Sequence, residues 1–359
     1  MSNTVKVLFL VPAPENISPG QRFRFEHYVK IADPNKYSFD IKPFFTQKTW
    51  GIIYLKNRYM EKLLGILLGF LGRIFTMFTL FKYDYVYIYR DAAVLGPPIF
   101  EWIVAKLYRK KIIYDFDDAI WISTSSAANP GAAFLKSTWK VANICKMSKV
   151  VTVGNDFLAA YARKYCSDVR VIPTVVNTAT SHNTLKDQDE LPLTIGWTGT
   201  FTNFVYLEAI IPAINKLKER YDFRFLVIAD KDPLFKNIDY TFKQWNIHSE
   251  IEDLLQLSIG LMPLADTEME KGKCGFKAIQ YMSLGIPPVL SPVGANSIIV
   301  NNGITGFWAD DQGDWIEKLA LLIRDEALRK EMGARARQKI IAEYSVEATK
   351  NKFFELFKA

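Results

Sequence analysis

Lys271, Gly272, Lys273 and Gly275 stand in one short loop, and the chemistry they suggest is the holding of an anion. The loop follows an apolar run, 259–264, and precedes a segment in which Phe276, Ile279 and Met282 fall at helical spacing. Free backbone N–H groups at a helix start favour negative charge, and nearby lysines add to it. The same residues read equally as a solvated basic loop ahead of an ordinary helix, because a lone Gly/Lys loop is weakly specific. Gly285 sits where that helix ends, Pro287 and Pro288 forbid its continuation, and Val289 and Leu290 restart a strand.

Three other sets of residues carry chemistry. Asp115, Asp117 and Asp118 close the strand 112–116, and ligands of α/β sheets bind at strand carboxyl ends. Three carboxylates there suit a divalent cation, hydrogen bonds from sugar hydroxyls, or a general base. Asp117 or Asp118 also suits the plain task of capping a helix. After the first strand, 6–11, come Gly20, Arg22 and Arg24, a pattern for phosphate or sugar, or an ordinary surface loop. In the second half, Gly196 and Gly199 bracket Trp197 and Thr198, with Thr200 and Asn203 just after. Gly199 lies after a strand and before a helix, where backbone can approach a phosphate closely.

These loops need sheets to hold them. Apolar runs at 6–11, 83–89, 112–116, 150–153 and 170–172 alternate with helical patterns, and a second series follows at 193–197, 224–229, 259–264 and 289–290. A helix over 205–220 carries Leu207, Ile210, Ile211, Ile214 and Leu217 on one stripe. The stretch 177–190 is polar and aperiodic and reads as a linker. The expected organisation is two domains, 1–180 and 181–340, with a terminal helix at 341–359 that packs back on the first.

The 359 residues are 49% hydrophobic and 23% charged, which are globular values. A net charge of +7 and a pI near 9.0 favour anionic partners. Cys145, Cys166 and Cys274 show neither pairing nor metal spacing and suit a reducing cytoplasm. No signal peptide is visible after Met1. Residues 63–80 are apolar apart from Arg73, and Lys56, Arg58, Lys62 and Lys82 flank them. This segment suits an anionic membrane surface, or a core helix; a true span is disfavoured by the central Arg. Nucleic acid is disfavoured, since positive charge clusters beside apolar residues.

The second half also resembles a known family. IGWTGT at 195–200, IGLMPLAD at 259–266, GKCGFKAIQYMSLGIPPVLSPVG at 272–294, NNGITGFWA and IRDEALRKEMGARARQ resemble the family-four glycosyltransferases. The likeness runs through almost the whole length. It implies a GT-B architecture, two Rossmann-like doubly wound α/β domains facing a cleft. It further implies an acceptor on the first domain, a nucleotide-diphosphate sugar on the second, transfer with retention, and no metal or other cofactor. The family's two glutamates fall here at Gly272 and Gln280, so the sugar-facing carboxylate is missing and the other is an amide. Glu270 is near but out of register. The usual diphosphate-clamping Arg and Lys are absent, with Thr200 and Asn203 in that region and Lys273 and Lys277 as the replacements.

The resemblance implies a retaining glycosyltransferase acting on a hydroxyl acceptor, lipid-linked or glycan, in cell-surface polysaccharide or glycolipid synthesis at the cytoplasmic face of the membrane. Asp117, Asp118 and Lys277 are the catalytic candidates. Gly20, Arg22, Trp197, Gly199, Thr200, Asn203, Asp230, Lys273, Gly275, Phe276 and Gln280 are the donor-binding candidates. Rival readings are a non-catalytic subunit of the same fold, a nucleotide-sugar epimerase, and a metal-dependent transferase using Asp115 and Asp117.

Overall fold

The computed structural model describes residues 4–53, 55, 57–122 and 138–358. The chain divides into two compact units, Met1–Pro173 with Lys350–Ala359, and Thr174–Thr349. In the first, strands β1 (Val5–Val11), β2 (Tyr37–Pro43), β3 (Tyr85–Tyr89), β4 (Lys111–Phe116), β5 (Val150–Val153) and β6 (Val169–Val171) form one sheet in the order β2-β1-β3-β4-β5-β6. The second holds β7 (Thr194–Gly199), β8 (Arg224–Ala229), β9 (Thr241–Gln244), β10 (Ile259–Met262), β11 (Pro288–Leu290) and β12 (Phe307–Trp308), ordered β12-β11-β10-β7-β8-β9. Every neighbouring pair in these two sheets runs parallel. Strands in the middle of each sheet are the apolar runs of the sequence because both their faces are covered.

Both orders reverse direction once, between β1 and β3 in the first unit and between β7 and β10 in the second. Outside the carboxyl ends of such a pair, the two following loops part to opposite faces and leave a crevice for a ligand. In the first unit those ends are followed by the Gly20 loop and by Arg90. In the second they are followed by Thr200 and by the segment leading to Lys273.

Several local expectations change. The stripe over 205–220 is two helices, Phe204–Glu208 and Ile211–Lys218, broken where Pro212 enters the first turn of the second. The polar stretch 177–190 is packed rather than loose. His182, Lys186 and Gln188 are buried, and the Gln188 amide donates to Ser258 O at 3.2 Å. The chain from Lys350 onward lies in the first unit. Phe353 stacks on Tyr28 at 4.3 Å, Phe354 on Tyr37 at 5.0 Å, and Phe357 meets Tyr85 edge-on at 5.9 Å.

Helix Tyr59–Met77 is neither of two of the expected things, a span or a core helix. Among the described residues no helix is long and apolar enough to cross a membrane. Nor is it a leucine-faced core helix: the buried residues are Gly65, Gly69, Arg73 and Met77, one per turn. A Cβ at Gly65 would overlap the Thr49 side chain, and one at Gly69 would lie 2.6 Å from Phe44 Cε1. The helix therefore approaches on its glycines, and Leu63, Leu64, Leu67, Leu68 and Leu71 remain 50–58% exposed. Arg73 is only 1% exposed and points inward. Its guanidinium donates to Ala92 O at 2.5 Å, Lys42 O at 2.7 Å and Val11 O at 2.8 Å. A planar group with five donors can join several chain segments, here the ends of β1 and β2 and the loop after β3. Arg73 therefore does not belong to a basic surface. Lys56 lies outside the described residues.

Candidate functional site

In the second unit, the residues after β7 and those before helix Phe276–Ser283 come together. The N-cap of that helix, Gly275, has φ 65°, a left-handed conformation that favours glycine. A Cβ there would also overlap Ile299. With Gly275 so turned, Lys273 and Lys277 are both half-buried beside the loop after β7. Lys273 Nζ donates to Asn203 Oδ1 at 2.8 Å and lies 4.7 Å from the centre of the Tyr206 ring. Lys277 Nζ lies 5.5 Å from the Trp197 ring centre. Aromatic faces of this kind attract and orient a cation.

The loop itself is tied down. Asn203 Nδ2 donates to Thr200 Oγ1 at 3.1 Å, and Phe201 N–H donates to Asp230 Oδ1 at 2.7 Å. Asp230 thus pins the loop from the end of β8. Tyr206 O–H donates to buried Glu270, as does Thr267 O–H. Burial, then the Glu270 hydrogen bond and charge, push the Tyr206 phenol well above its ordinary value, so it remains a protonated donor. The result is two lysines and a set of backbone and hydroxyl groups at the β7/β10 reversal, an arrangement suited to a phosphate-bearing ligand. Tyr206 and Glu270 were not singled out for this role from sequence. Their bond joins residues 64 apart in the chain, and no local pattern marks it.

Three expected donor contacts are placed differently. Trp197 is 1% exposed inside the hydrophobic core, under Lys277 rather than open to a ligand. Gly199 is needed for packing, since a Cβ there would overlap the Trp197 indole. Gln280 is 3% exposed, and its amide nitrogen is turned inward to Glu250 Oε1 at 3.4 Å. Phe276 stays half-buried at the helix start.

In the first unit, Asp115 is fully buried and paired with Arg24, itself 1% exposed, with N–O distances of 2.5 and 3.2 Å. Neither serves a ligand as the sequence suggested: each neutralises the other inside the core. Asp115 is thereby withdrawn from metal ligation. Among the described residues no group of His, Cys, Asp and Glu has a metal-holding arrangement. Asp117 Oδ1 accepts from Tyr89 O–H at 2.8 Å, Arg90 Nε at 2.9 Å and Arg90 Nη2 at 2.7 Å. Arg90 Nη2 also reaches Asp118 Oδ2 at 2.6 Å. Burial acts to raise the Asp117 pKa. The Arg90 and Arg24 charges and the hydrogen bonds from Arg90 and Tyr89 outweigh it and hold the carboxyl below its usual range. Asp117 is thus a firmly ionised, weak base, whereas Asp118 is 41% exposed.

Gly20 lies against this cluster: a Cβ would overlap Tyr89 Oη and come within 3.1 Å of Asp117 Oδ2. Arg22 is half-buried with its guanidinium 4.8 Å from the Phe23 ring centre. Arg90, at φ 59°, was missed from sequence. Its place directly after β3, with two acids at the end of the neighbouring β4, was the available signal. The same loop is gripped further on. Ala92 N–H donates to Glu101 Oε1 at 3.0 Å, Ala92 O accepts from Arg73, and Lys140 Nζ donates to Ala93 O at 2.9 Å.

Residues 192–325 match the model of the family described as glycosyl transferases group 1. N-acetyl-alpha-D-glucosaminyl L-malate synthase of Bacillus anthracis is 23% identical over 148 residues. That match spans 39% of this chain and 39% of the length of that protein. Three solved structures share the fold over nearly their full length. Sucrose-phosphate synthase of Thermosynechococcus elongatus has a TM-score of 0.70 at 14% identity, covering 99% of this chain and 98% of that one. A glycosyltransferase of Rickettsia africae has 0.66 at 16%, covering 99% and 98%. HepE of Anabaena, in complex with UDP and glucose, has 0.65 at 13%, covering 99% of each.

Proposed function

From the match of residues 192–325 to the group 1 glycosyltransferases and from the shared GT-B fold, we propose that this chain is a retaining transferase of that family, one that moves a sugar from a nucleotide-diphosphate sugar to a hydroxyl acceptor. The observation that carries this reading is the second-unit loop pair, in which Lys273 is bonded to Asn203 and Gly275 opens a helix at the strand reversal. The donor's diphosphate lies at that loop pair, with Lys277 over Trp197 as the second cation. Uridine is the first base to test, since HepE is a UDP complex.

As the bond between the anomeric carbon and the phosphate oxygen breaks, negative charge grows on the leaving diphosphate. Fixed lysines and N–H donors stabilise that charge more than they stabilise the bound donor, which is what accelerates the step. The acceptor oxygen bonds to the anomeric carbon on the face the diphosphate leaves, and its proton passes to the leaving phosphate. Within the first unit Asp117 is a weak base, and the proposed route calls on no carboxylate to remove the proton. Asp118, held by Arg90, is the group offered to an acceptor hydroxyl. The acceptor is lipid-linked or a glycan, used in cell-surface polysaccharide or glycolipid synthesis in the cytoplasm at an anionic membrane.

Gly272 and Gln280 stand where the resemblance expects carboxylates, and that favours a second reading, a nucleotide-sugar-binding subunit without catalysis. Both readings are tested together. Purified protein is screened with a panel of nucleotide sugars for thermal stabilisation and then for slow release of the nucleotide diphosphate. Lys273→Met and Lys277→Met are each expected to weaken UDP binding by roughly 1.5–3 kcal/mol, the scale of a charge-assisted hydrogen bond. Binding without any nucleotide release supports the subunit reading. UDP affinity unchanged in both variants refutes the donor site.

A further inference from the structure

We propose that helix Tyr59–Met77 and the helical segment 99–107 beside it form one docking face for an anionic lipid bilayer. This deepens the membrane contact proposed above and rests on that reading.

The first observation is the inversion of the long helix. Its glycines and Arg73 turn inward, so Leu63, Leu64, Leu67, Leu68 and Leu71 stay at least half exposed among the described residues. Phe75 is 69% exposed, Phe78 67% and Phe81, just beyond the helix, 69%. Isolated exposed apolar residues are ordinary, but a helix with its leucines and phenylalanines together on the outer side marks an interaction surface.

The second observation is the neighbour. Phe70 of the long helix meets Phe100 with ring centres 6.1 Å apart. Phe100 and Val104 face the core, while Trp102 is 53% exposed and Leu107 66%. Trp is the residue whose apolar body and N–H suit the boundary between lipid tails and water. Beyond the ends of the two helices the chain segments that follow them are joined, with Lys110 Nζ donating to Tyr83 O at 2.6 Å.

Charge selects the occupant. Lys82, Lys106 and Arg109 are exposed at that end. The acids of the same stretch are engaged: Glu61 pairs with Arg58 at 2.6 Å, Asp84 accepts from Lys6 N–H at 2.8 Å, and Glu101 is buried. An apolar face with a basic end fits phospholipid tails with anionic headgroups, each cation strengthening attachment roughly fivefold.

The test is flotation of the full chain with phosphatidylcholine vesicles, with and without phosphatidylglycerol, at low and high salt. Wild type should float with the anionic vesicles at low salt and detach as salt rises. The pair Phe75→Ser/Phe78→Ser and the pair Trp102→Ser/Leu107→Ser should each lose binding at least tenfold with unchanged circular dichroism, because all four side chains are exposed. Lys106→Gln/Arg109→Gln should remove most of the salt dependence. Flotation of the Trp102→Ser/Leu107→Ser protein equal to wild type overturns the two-helix face and leaves membrane contact standing. No flotation of wild type at low salt overturns both. A concentration-dependent dimer in light scattering, lost in the two apolar variants, would assign the face to a second copy instead.

Discussion

Gly199→Ala separates packing from phosphate binding at the end of β7. A Cβ at this position would fall well inside contact distance of Trp197 Cζ2 and Cη2 and 3.0 Å from Lys277 Cε. Lys277 is a flexible chain and can give way. Trp197 is 1% exposed, packs against Phe204 at 5.8 Å between ring centres, and has no room to swing. Gly199 is also paired in register with Ala229, which restrains the strand from moving aside. Overpacking of this kind costs roughly 1–3 kcal/mol. Urea unfolding should therefore show Gly199→Ala less stable by that amount and Gly199→Val by more, contrary to a glycine kept only for a phosphate. Trp197→Phe deletes the two indole carbons in question. The Trp197→Phe/Gly199→Ala protein should then be at least about 1 kcal/mol more stable than the sum of the single changes implies. Additivity within about 0.5 kcal/mol would refute the steric argument. Unchanged stability of Gly199→Ala with lost UDP binding would return the glycine to the phosphate.

Two other perturbations test the first unit. Arg73→Met removes the donors to Ala92 O, Lys42 O and Val11 O, of which Val11 O keeps Phe44 N–H. Lys42 O lies in the β1–β2 ladder beside Val11, so Ala92 O is the acceptor most exposed to the change, and a loss of about 1–3 kcal/mol is expected in urea unfolding; a loss below about 1 kcal/mol would mean these backbone ends do not depend on this side chain. His27 is pushed down to about 4 by burial first and then by the Arg22 and Lys30 charges. Its folded pKa lies below its unfolded one, so its stability is complete above pH 6.5 and is lost as the pH falls toward 4, by up to about 3 kcal/mol. His27→Phe should flatten the stability curve between those values. An identical acid slope in both proteins would show that other groups titrate there.

Most of the central strands could be read directly, and β5 and β8 fall at 150–153 and 224–229 as the apolar runs imply. Burial on both faces is written into consecutive residues, so a local window suffices. β2, β9 and β12 escaped notice because each is an outer strand of its sheet, and β2 and β9 are only part-buried, which leaves no apolar run. The loop residues Thr200, Asn203, Lys273 and Gly275 were visible as Gly/Lys chemistry between a strand and a helix. Their union was not visible, because Lys273 meets Asn203 across 70 residues. Tertiary structure also decided which polar groups face inward. Asp115 and Arg24, 91 residues apart, cancel each other in the core, while Asp117 finds Arg90. The long helix shows the limit most plainly. Its composition allowed a span, a core helix or a surface helix. Only the side contacted by Thr49 and Phe44 determined that glycines and Arg73 turn in and leucines turn out. A helix with apolar residues on most of its circumference carries no periodic signal of which face is buried, so its orientation is set by partners elsewhere in the chain.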